Sequence, residues 1–229
     1  MRDTILYGDC RDTLGTLKAQ ISIGIAERPR MCVTSPPYYG LRDYGGQDNQ
    51  IGLEQSPEEY VNQLVEVFSG VRDCLADDGT LWVNIGDGYY NYKSGTGEYA
   101  KQSFAKGRQD LPYKNPKRAN KLEGYKDKDL IGAPWMFAFA MRADGWWLRQ
   151  DIIWSKPNPM PESVRDRCTK SHEYMFLFSK SRDYYFDVDS IKIPTVDGEG
   201  LKRKKSVWDV KIKPYKGAHF ATYPSELIE

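Results

Sequence analysis

Metal-binding and disulfide patterns are missing from this sequence. Of its 229 residues, four are cysteines (Cys10, Cys32, Cys74 and Cys168) with no Cys-x-x-Cys pair, and only two are histidines. Neither a zinc site nor a disulfide framework is favoured, so no metal is expected and a reducing, cytoplasmic location suits the chain. No apolar run approaches the roughly 20 residues a membrane span needs. No signal-peptide pattern opens the chain. Charge of one sign is also lacking: 33 Lys and Arg face 32 Asp and Glu, a net charge of +1. Any affinity for a polyanion must therefore come from local clustering. The length suits one domain with a real core, with room for an insertion.

Aromatic residues are plentiful (16 Tyr, 6 Trp, 8 Phe). Many of them sit in polar, Lys-rich stretches where burial is a poor explanation. Elsewhere the pattern is regular. Thr4-Ile5-Leu6-Tyr7 reads as a short strand ending at Gly8-Asp9-Cys10, and residues 13–25 read as a helix. Met31-Cys32-Val33-Thr34 reads as a buried strand, short, partly β-branched and bounded by turn residues. Ser56-Pro57-Glu58-Glu59 opens a helix, with Ser56 as N-cap, Pro57 at the first position and Glu59 closing a capping box. Tyr60, Leu64, Val67, Phe68, Val71 and Leu75 recur at helical spacing until Asp78-Gly79 ends the run. Residues 80–85 form the next strand, stopped by Gly86-Asp87-Gly88. Strand, helix and strand in about fifty residues make a parallel crossover, and so an α/β fold.

Later, residues 131–142 read as a helix, 147–154 as a strand, and 173–179 with 183–188 as a hairpin. Two segments break the rhythm. Residues 88–129 are basic and aromatic with almost no aliphatic side chains, and residues 189–206 end in Lys202-Arg203-Lys204-Lys205. Basic residues interleaved with aromatics suit phosphate contact and base stacking; a solvated loop is the alternative.

The most informative stretch is Thr34-Ser35-Pro36-Pro37-Tyr38. Neither proline can donate to a ladder, and each fixes φ near −65°. The strand then gives way to a stiff loop offering bare carbonyls, a small hydroxyl (Ser35) and a flat ring (Tyr38). Such a set suits gripping a planar amine; a chance Ser-Pro-Pro turn is the bland alternative, which placement at a strand end disfavours.

These segments, in this order, resemble the β-group of amino-methylating DNA methyltransferases, which use S-adenosylmethionine. Residues 34–38 match the catalytic tetrapeptide of that family and its preceding residue, and residues 5–10 resemble the strand and Gly-Asp-Cys turn upstream. Trp154-Ser155-Lys156-Pro157-Asn158, residues 172–186, Val207-Trp208 and residues 219–227 resemble later segments. The resemblance implies a Rossmann-like methyltransferase fold, a mixed sheet with helices on both faces and a circularly permuted motif order, over one catalytic domain at 1–229. Residues 88–129 and 189–206 would be its DNA-recognition segments. The family's glycine-rich cofactor loop is expected soon after Leu227 and is absent before Glu229. On this reading the domain is incomplete: either a second polypeptide completes it or it is a truncated product.

The implied reaction is direct methyl transfer to the exocyclic amine of a base everted from double-stranded DNA. Ser35 and the Pro36 carbonyl would accept the amine's hydrogens, Pro37 would stiffen the corner and Tyr38 would stack on the base. The family's adenine-N6 enzymes usually carry Asp or Asn at the Ser35 position, so cytosine N4 is favoured, with adenine N6 and a non-catalytic DNA-binding remnant as alternatives. A protein or RNA amine methyltransferase is a further alternative, which Ser in place of Asn disfavours. Asp9, Cys10, Thr34, Tyr223 and Pro224 are the cofactor candidates; an ordinary turn would equally explain Asp9, and a strand-to-turn transition Tyr223-Pro224. Arg42, Lys156, Arg165, Arg167, Lys170 and His172 are the DNA-contact candidates, each also open to a surface or structural reading.

Overall fold

The computed structural model of the chain describes residues 4–43, 49–91, 121–213 and 222–228. Three helices (α1 Cys10–Ser22, α2 Pro57–Cys74, α3 Ala133–Ala143) accompany seven strands. The strands are β1 Met31–Thr34, β2 Thr80–Ile85, β3 Trp147–Ser155, β4 His172–Ser179, β5 Ile193–Pro194, β6 Leu201–Lys202 and β7 Val207–Asp209. Five of them form one mixed sheet in the order β1-β2-β4-β3-β7, and β5 pairs with β6 apart from it. β1 runs parallel to β2 with Met31 opposite Thr80, whereas β4 is antiparallel to both its neighbours. The parallel crossover from β1 through α2 to β2 is the one expected from the sequence.

Alternation along the central strands explains where the core lies. Leu81, Val83 and Ile85 of β2, with Phe176 and Phe178 of β4, face α2 and α3. The helices return Tyr60, Leu64, Phe68, Phe137 and Met141 to the same cluster. Successive strand side chains point to opposite faces, so Trp82 and Met175 face away. They join Ile152, Trp208 and Leu227 in a smaller cluster on the other face, to which the short 3-10 helix Ser225–Leu227 contributes Leu227 and α1, α2 and α3 contribute nothing. α1 packs chiefly on α2; Leu14 lies where a Cβ added at Gly70 would be 3.4 Å from it.

Helix ends obey local chemistry. Ser56 Oγ accepts the Glu59 N–H at 3.1 Å, as an N-cap should, while the Glu59 carboxylate accepts from Gln55 at 3.0 Å, one residue before the usual capping-box donor. α3 starts at Ala133, two residues later than the sequence suggests, because Gly132 occupies the left-handed region at φ 80°. Asp87 supplies that missing cap from the end of β2, accepting from Gly132 at 3.0 Å and Ala133 at 3.2 Å.

Two expected strands are not formed. Residues 4–7 are not in a strand, with Ile5 73% and Tyr7 87% exposed; among the described residues no strand lies beside them to complete a ladder. Residues 183–188 do not return as a hairpin, because β4 is already hydrogen-bonded on both edges, by β2 and by β3. That segment instead folds over the sheet end, where Phe186 stacks on Trp82 with centroids 6.3 Å apart.

Phe137→Ala should lower unfolding free energy by about 3–5 kcal/mol and Ser56→Ala by about 1 kcal/mol. Urea unfolding midpoints measure both; a larger loss from the cap than from the core ring would contradict this packing.

Candidate active site at the end of strand β1

β1 stops at Thr34, opposite Val83, and Ser35-Pro36-Pro37-Tyr38 turns away from the sheet. The corner is held from behind. Tyr60, one turn into α2, donates its hydroxyl to the Pro37 carbonyl at 2.9 Å, and burial pushes that hydroxyl's pKa far above the ordinary tyrosine range, which keeps it a donor. Gly52 packs beneath: its φ is +103°, and a Cβ there would lie 3.1 Å from the Tyr38 carbonyl and 3.3 Å from Pro37 Cβ. Gly40 closes the loop with a 2.8 Å bond to the Gly52 carbonyl.

Tyr38 is tied at its hydroxyl. Its Oη donates to Glu173 Oε2 at 2.7 Å and lies 2.9 Å from Asn84 Oδ1. Ser35 Oγ lies 3.4 Å from the same Asn84 oxygen and 3.5 Å from Tyr38 Oη. Asn84 is buried in β2 and is itself oriented by donating to the Tyr174 carbonyl at 3.2 Å. Burial, aided by the Glu173 charge, raises the Tyr38 hydroxyl well above its usual range, so it remains protonated. The ring edge lies against Gly86, where a Cβ would approach Tyr38 Cε2 to 2.6 Å. Lys156 completes the floor, donating to Glu173 Oε1 with its ammonium 4.2 Å from the Trp154 ring centre.

Above this floor opens a cavity of about 540 Å³, within the range of small-ligand sites. Ser35, Pro36, Pro37, Tyr38, Leu41 and Arg42 line it together with Ile212, Thr222 and Tyr223. The stretch leading to Ile212 is fastened by the Trp154–Asn158 segment. Trp154 Nε1 donates to the Val210 carbonyl at 2.8 Å, and Asn158 exchanges two bonds with Ile212, at 2.9 and 3.0 Å.

Of the residues singled out by sequence, this cavity gathers Ser35, Pro36, Pro37, Tyr38, Arg42, Lys156 and Tyr223. Thr34 and the buried Pro224 adjoin it in sequence without lining it. Asp9 and Cys10 do not line it either: Asp9 caps α1, and its carboxylate is engaged by Arg11 at 2.6 Å and Asn49 at 3.1 Å, with the Arg11 hydrogen bonds holding its pKa down at about 2. Lys170 turns inward to the Asp87 carbonyl. Burial draws the Lys170 ammonium below its ordinary range. Arg167 pairs with Glu162 at 2.5 Å and covers the Tyr89 ring at 3.8 Å. His172 sits edge-on to Tyr174, and Arg165 is exposed. Most of the 88–129 segment, and residues 214–221, lie outside the described residues.

Asn84, Glu173, Tyr60 and Gly86 had no assigned role at the site from sequence. Only Asn84 carried a signal, as a lone amide in an otherwise apolar strand. Among the described residues no group of three His, Cys, Asp or Glu is placed to hold a metal. The lining offers a small hydroxyl and a flat ring, a chemistry that fits a planar amine.

Comparison with known proteins accords with this arrangement. A family model described as DNA methylase, of the N6/N4 type, matches residues 30–229. The chain is 52% identical over 204 residues to the Type II methyltransferase M.Cfr9I of Citrobacter freundii, covering 87% of this chain and 63% of the relative. It is 48% identical over 221 residues to the Type II methyltransferase M.SmaI of Serratia marcescens, covering 96% and 70%. The chain thus spans less than two thirds of the length of the first of these. Two solved structures share the fold: the cytosine-N4-specific PvuII DNA methyltransferase (TM-score 0.55, 15% identity, covering 92% of this chain and 57% of that one) and a Thermus thermophilus protein complexed with S-adenosyl-L-methionine (TM-score 0.50, 18% identity, covering 88% and 64%).

Gly86→Ala must displace the Tyr38 ring, and overpacking of this kind costs about 1–3 kcal/mol. Paired with Tyr38→Ala, the added methyl should cost nothing further in a urea titration. Equal destabilisation in both backgrounds would show that the ring is not the obstacle.

Proposed function

The chain belongs to the DNA methylase family, and on that premise we propose that it transfers a methyl group from S-adenosylmethionine to the exocyclic amine of a base in double-stranded DNA, cytosine N4 in the first instance. The observation that carries this reading is the joint placement of Ser35, Pro36 and Tyr38 on one cavity.

An exocyclic amine is a poor nucleophile because its lone pair is delocalised into the ring. Ser35 Oγ and the Pro36 carbonyl accept its two hydrogens, which favours a pyramidal nitrogen with a localised pair. The Pro37 carbonyl is turned towards α2, where it accepts from the Tyr60 hydroxyl. Tyr38 offers only its ring, because its hydroxyl is held by Glu173 and Asn84. S-adenosylmethionine, when bound, supplies an electrophilic methyl group on a cationic sulfur; Thr222 and Tyr223, on the same cavity as Ser35, would hold its reacting end. Holding amine and methyl in line contributes on the order of 7–11 kcal/mol. The methylated nitrogen becomes cationic and releases its proton readily, so no strong base is needed.

A base within a duplex cannot enter this cavity, so eversion, at about a few kcal/mol, is part of the proposal. Arg42 at the cavity edge and the exposed Arg165 are the phosphate contacts that suit it. Residues 88–129 and 189–206 are proposed as the recognition segments; in the second, Arg203 and Lys205 are exposed and Lys204 lies 4.2 Å from the Trp208 ring centre. Ser35 in place of an acid or amide is the feature that favours cytosine.

Incubating the protein with labelled S-adenosylmethionine and genomic duplex DNA, then analysing nucleosides, tests the reaction. N4-methylcytosine is expected; N6-methyladenine would overturn the Ser35 argument, and unlabelled DNA the activity itself. For the recognition segment, Arg203→Ala and Lys205→Ala should each flatten the salt dependence of DNA binding by about one unit of slope. An unchanged slope measured by fluorescence anisotropy would remove residues 189–206 from the interface.

A further inference from the structure

Beneath the cavity, four side chains from three elements form one connected line. Tyr38 Oη meets Glu173 Oε2 at 2.7 Å, Glu173 Oε1 meets the Lys156 ammonium, and that ammonium lies over Trp154. Trp154 and Glu173 are register partners across β3 and β4. Lys156 comes directly after β3 and bonds through its backbone N–H to the Ser171 carbonyl at 2.8 Å, which places its stem alongside the start of β4. Both charged groups are largely shielded, with side chains 13% and 17% exposed.

A partly exposed aromatic ring facing an open cavity has little on that side to stop it from swinging about its χ angles. The Gly86 backbone limits one edge, but one side of the ring must stay uncovered if a base is to lie there. The remaining handle is the hydroxyl. An acceptor that is ionised binds it about twice as strongly as a neutral one, and an ionised carboxylate in so shielded a place needs a cation beside it. The structure supplies both in sequence: Glu173 for the hydroxyl and Lys156 for Glu173.

We propose that Glu173 is a positioning residue that sets the plane of the Tyr38 ring, with Lys156 as its counter-charge. This rests on the proposed methyl transfer, since the ring's plane matters only if a base stacks on it. It also reassigns Lys156: a lysine expected from sequence to meet DNA phosphate is directed into the protein. Glu173 does not touch the reacting atoms and takes no proton; it acts through Tyr38 alone. Asn84 Oδ1, 2.9 Å from the same hydroxyl, is a second and neutral acceptor, so removing Glu173 must cost no more than removing the hydroxyl, and removing both must cost no more than removing the hydroxyl alone.

The experiment compares Tyr38→Phe, the double variant Lys156→Met/Glu173→Leu, the triple combination, and Lys156→Met/Glu173→Gln. Replacing both partners of a shielded pair by apolar groups of similar size is often tolerated by the fold, and thermal unfolding checks that it is here. Loss of a hydrogen bond to a charged group predicts kcat reduced by about tenfold to a hundredfold for Tyr38→Phe and for K156M/E173L. The triple variant should fall no further, and K156M/E173Q, which restores a neutral acceptor, should recover most of the activity. KM for DNA and DNA affinity without cofactor should stay within about twofold, because a lost salt-bridge anchor for phosphate would instead weaken them. Additive losses in the triple variant, or weakened DNA binding in K156M/E173L, would overturn the assignment. A second readout needs no turnover. With 3-fluorotyrosine incorporated, the fluorine signal that disappears in Tyr38→Phe should be sharp in the wild type and in K156M/E173Q, and broadened or shifted in K156M/E173L. An unperturbed signal in K156M/E173L would refute the role of Glu173, whereas a perturbed signal in a protein that methylates nothing would refute the proposed reaction and leave the positioning intact.

Discussion

A strand that ends in two prolines cannot extend its ladder, and the arrangement at the cavity depends on how this particular ending is fixed. Pro36 and Pro37 have no N–H groups, so the corner carries acceptors without donors. One of those acceptors, the Pro37 carbonyl, is matched by the Tyr60 hydroxyl at 2.9 Å. The helical spacing that buries Leu64, Phe68 and Val71 against the sheet also aims Tyr60 at the corner. Core packing and site geometry are thus coupled through one side chain: α2 cannot shift on the sheet without moving the proline corner.

Sheet topology then decides what faces the corner. β4 runs antiparallel between β2 and β3, so its first residues lie beside the last residues of both, with Tyr174 opposite Ile85 and His172 opposite Ser155. Ligands of α/β sheets gather outside the carboxyl ends of the strands. Here the carboxyl ends of β1, β2 and β3 meet the amino end of β4. That single edge therefore collects Ser35, Asn84, Lys156 and Glu173 from four separate stretches of sequence. Asn84, Lys156 and Glu173 satisfy one another and Tyr38 on the cavity floor, and Ser35, Pro36 and aromatic surface share the lining with them.

Much of this was legible in the chain. The strand 31–34, the helix N-cap at Ser56 and the strand 80–85 appear where apolar periodicity and capping chemistry place them, because those signals are local. The proline corner was legible for the same reason. Partner choice was not local. Residues 183–188 have strand-like composition, but both edges of β4 are occupied; residues 4–7 are apolar, yet no described strand lies beside them. Glu173 was hidden because a charged residue at a strand start is ordinary until the Tyr38 hydroxyl is seen 2.7 Å away. Lys156 and Lys170 looked like DNA contacts because their charge is visible in sequence and their direction is not. Asp9 obeyed the same rule in reverse, its carboxylate being taken by Arg11 two residues on.

The proposed chemistry requires an everted base to lie on Tyr38 with its amine at Ser35. A crystal structure of the protein with a duplex containing its methylation site and a non-reactive cofactor analogue tests this most directly. The expected result is a base out of the helix, its plane parallel to the Tyr38 ring and its exocyclic nitrogen within hydrogen-bond distance of Ser35 Oγ and the Pro36 carbonyl. A target base still stacked in the duplex, or one bound on another surface with the proline corner vacant, would contradict it.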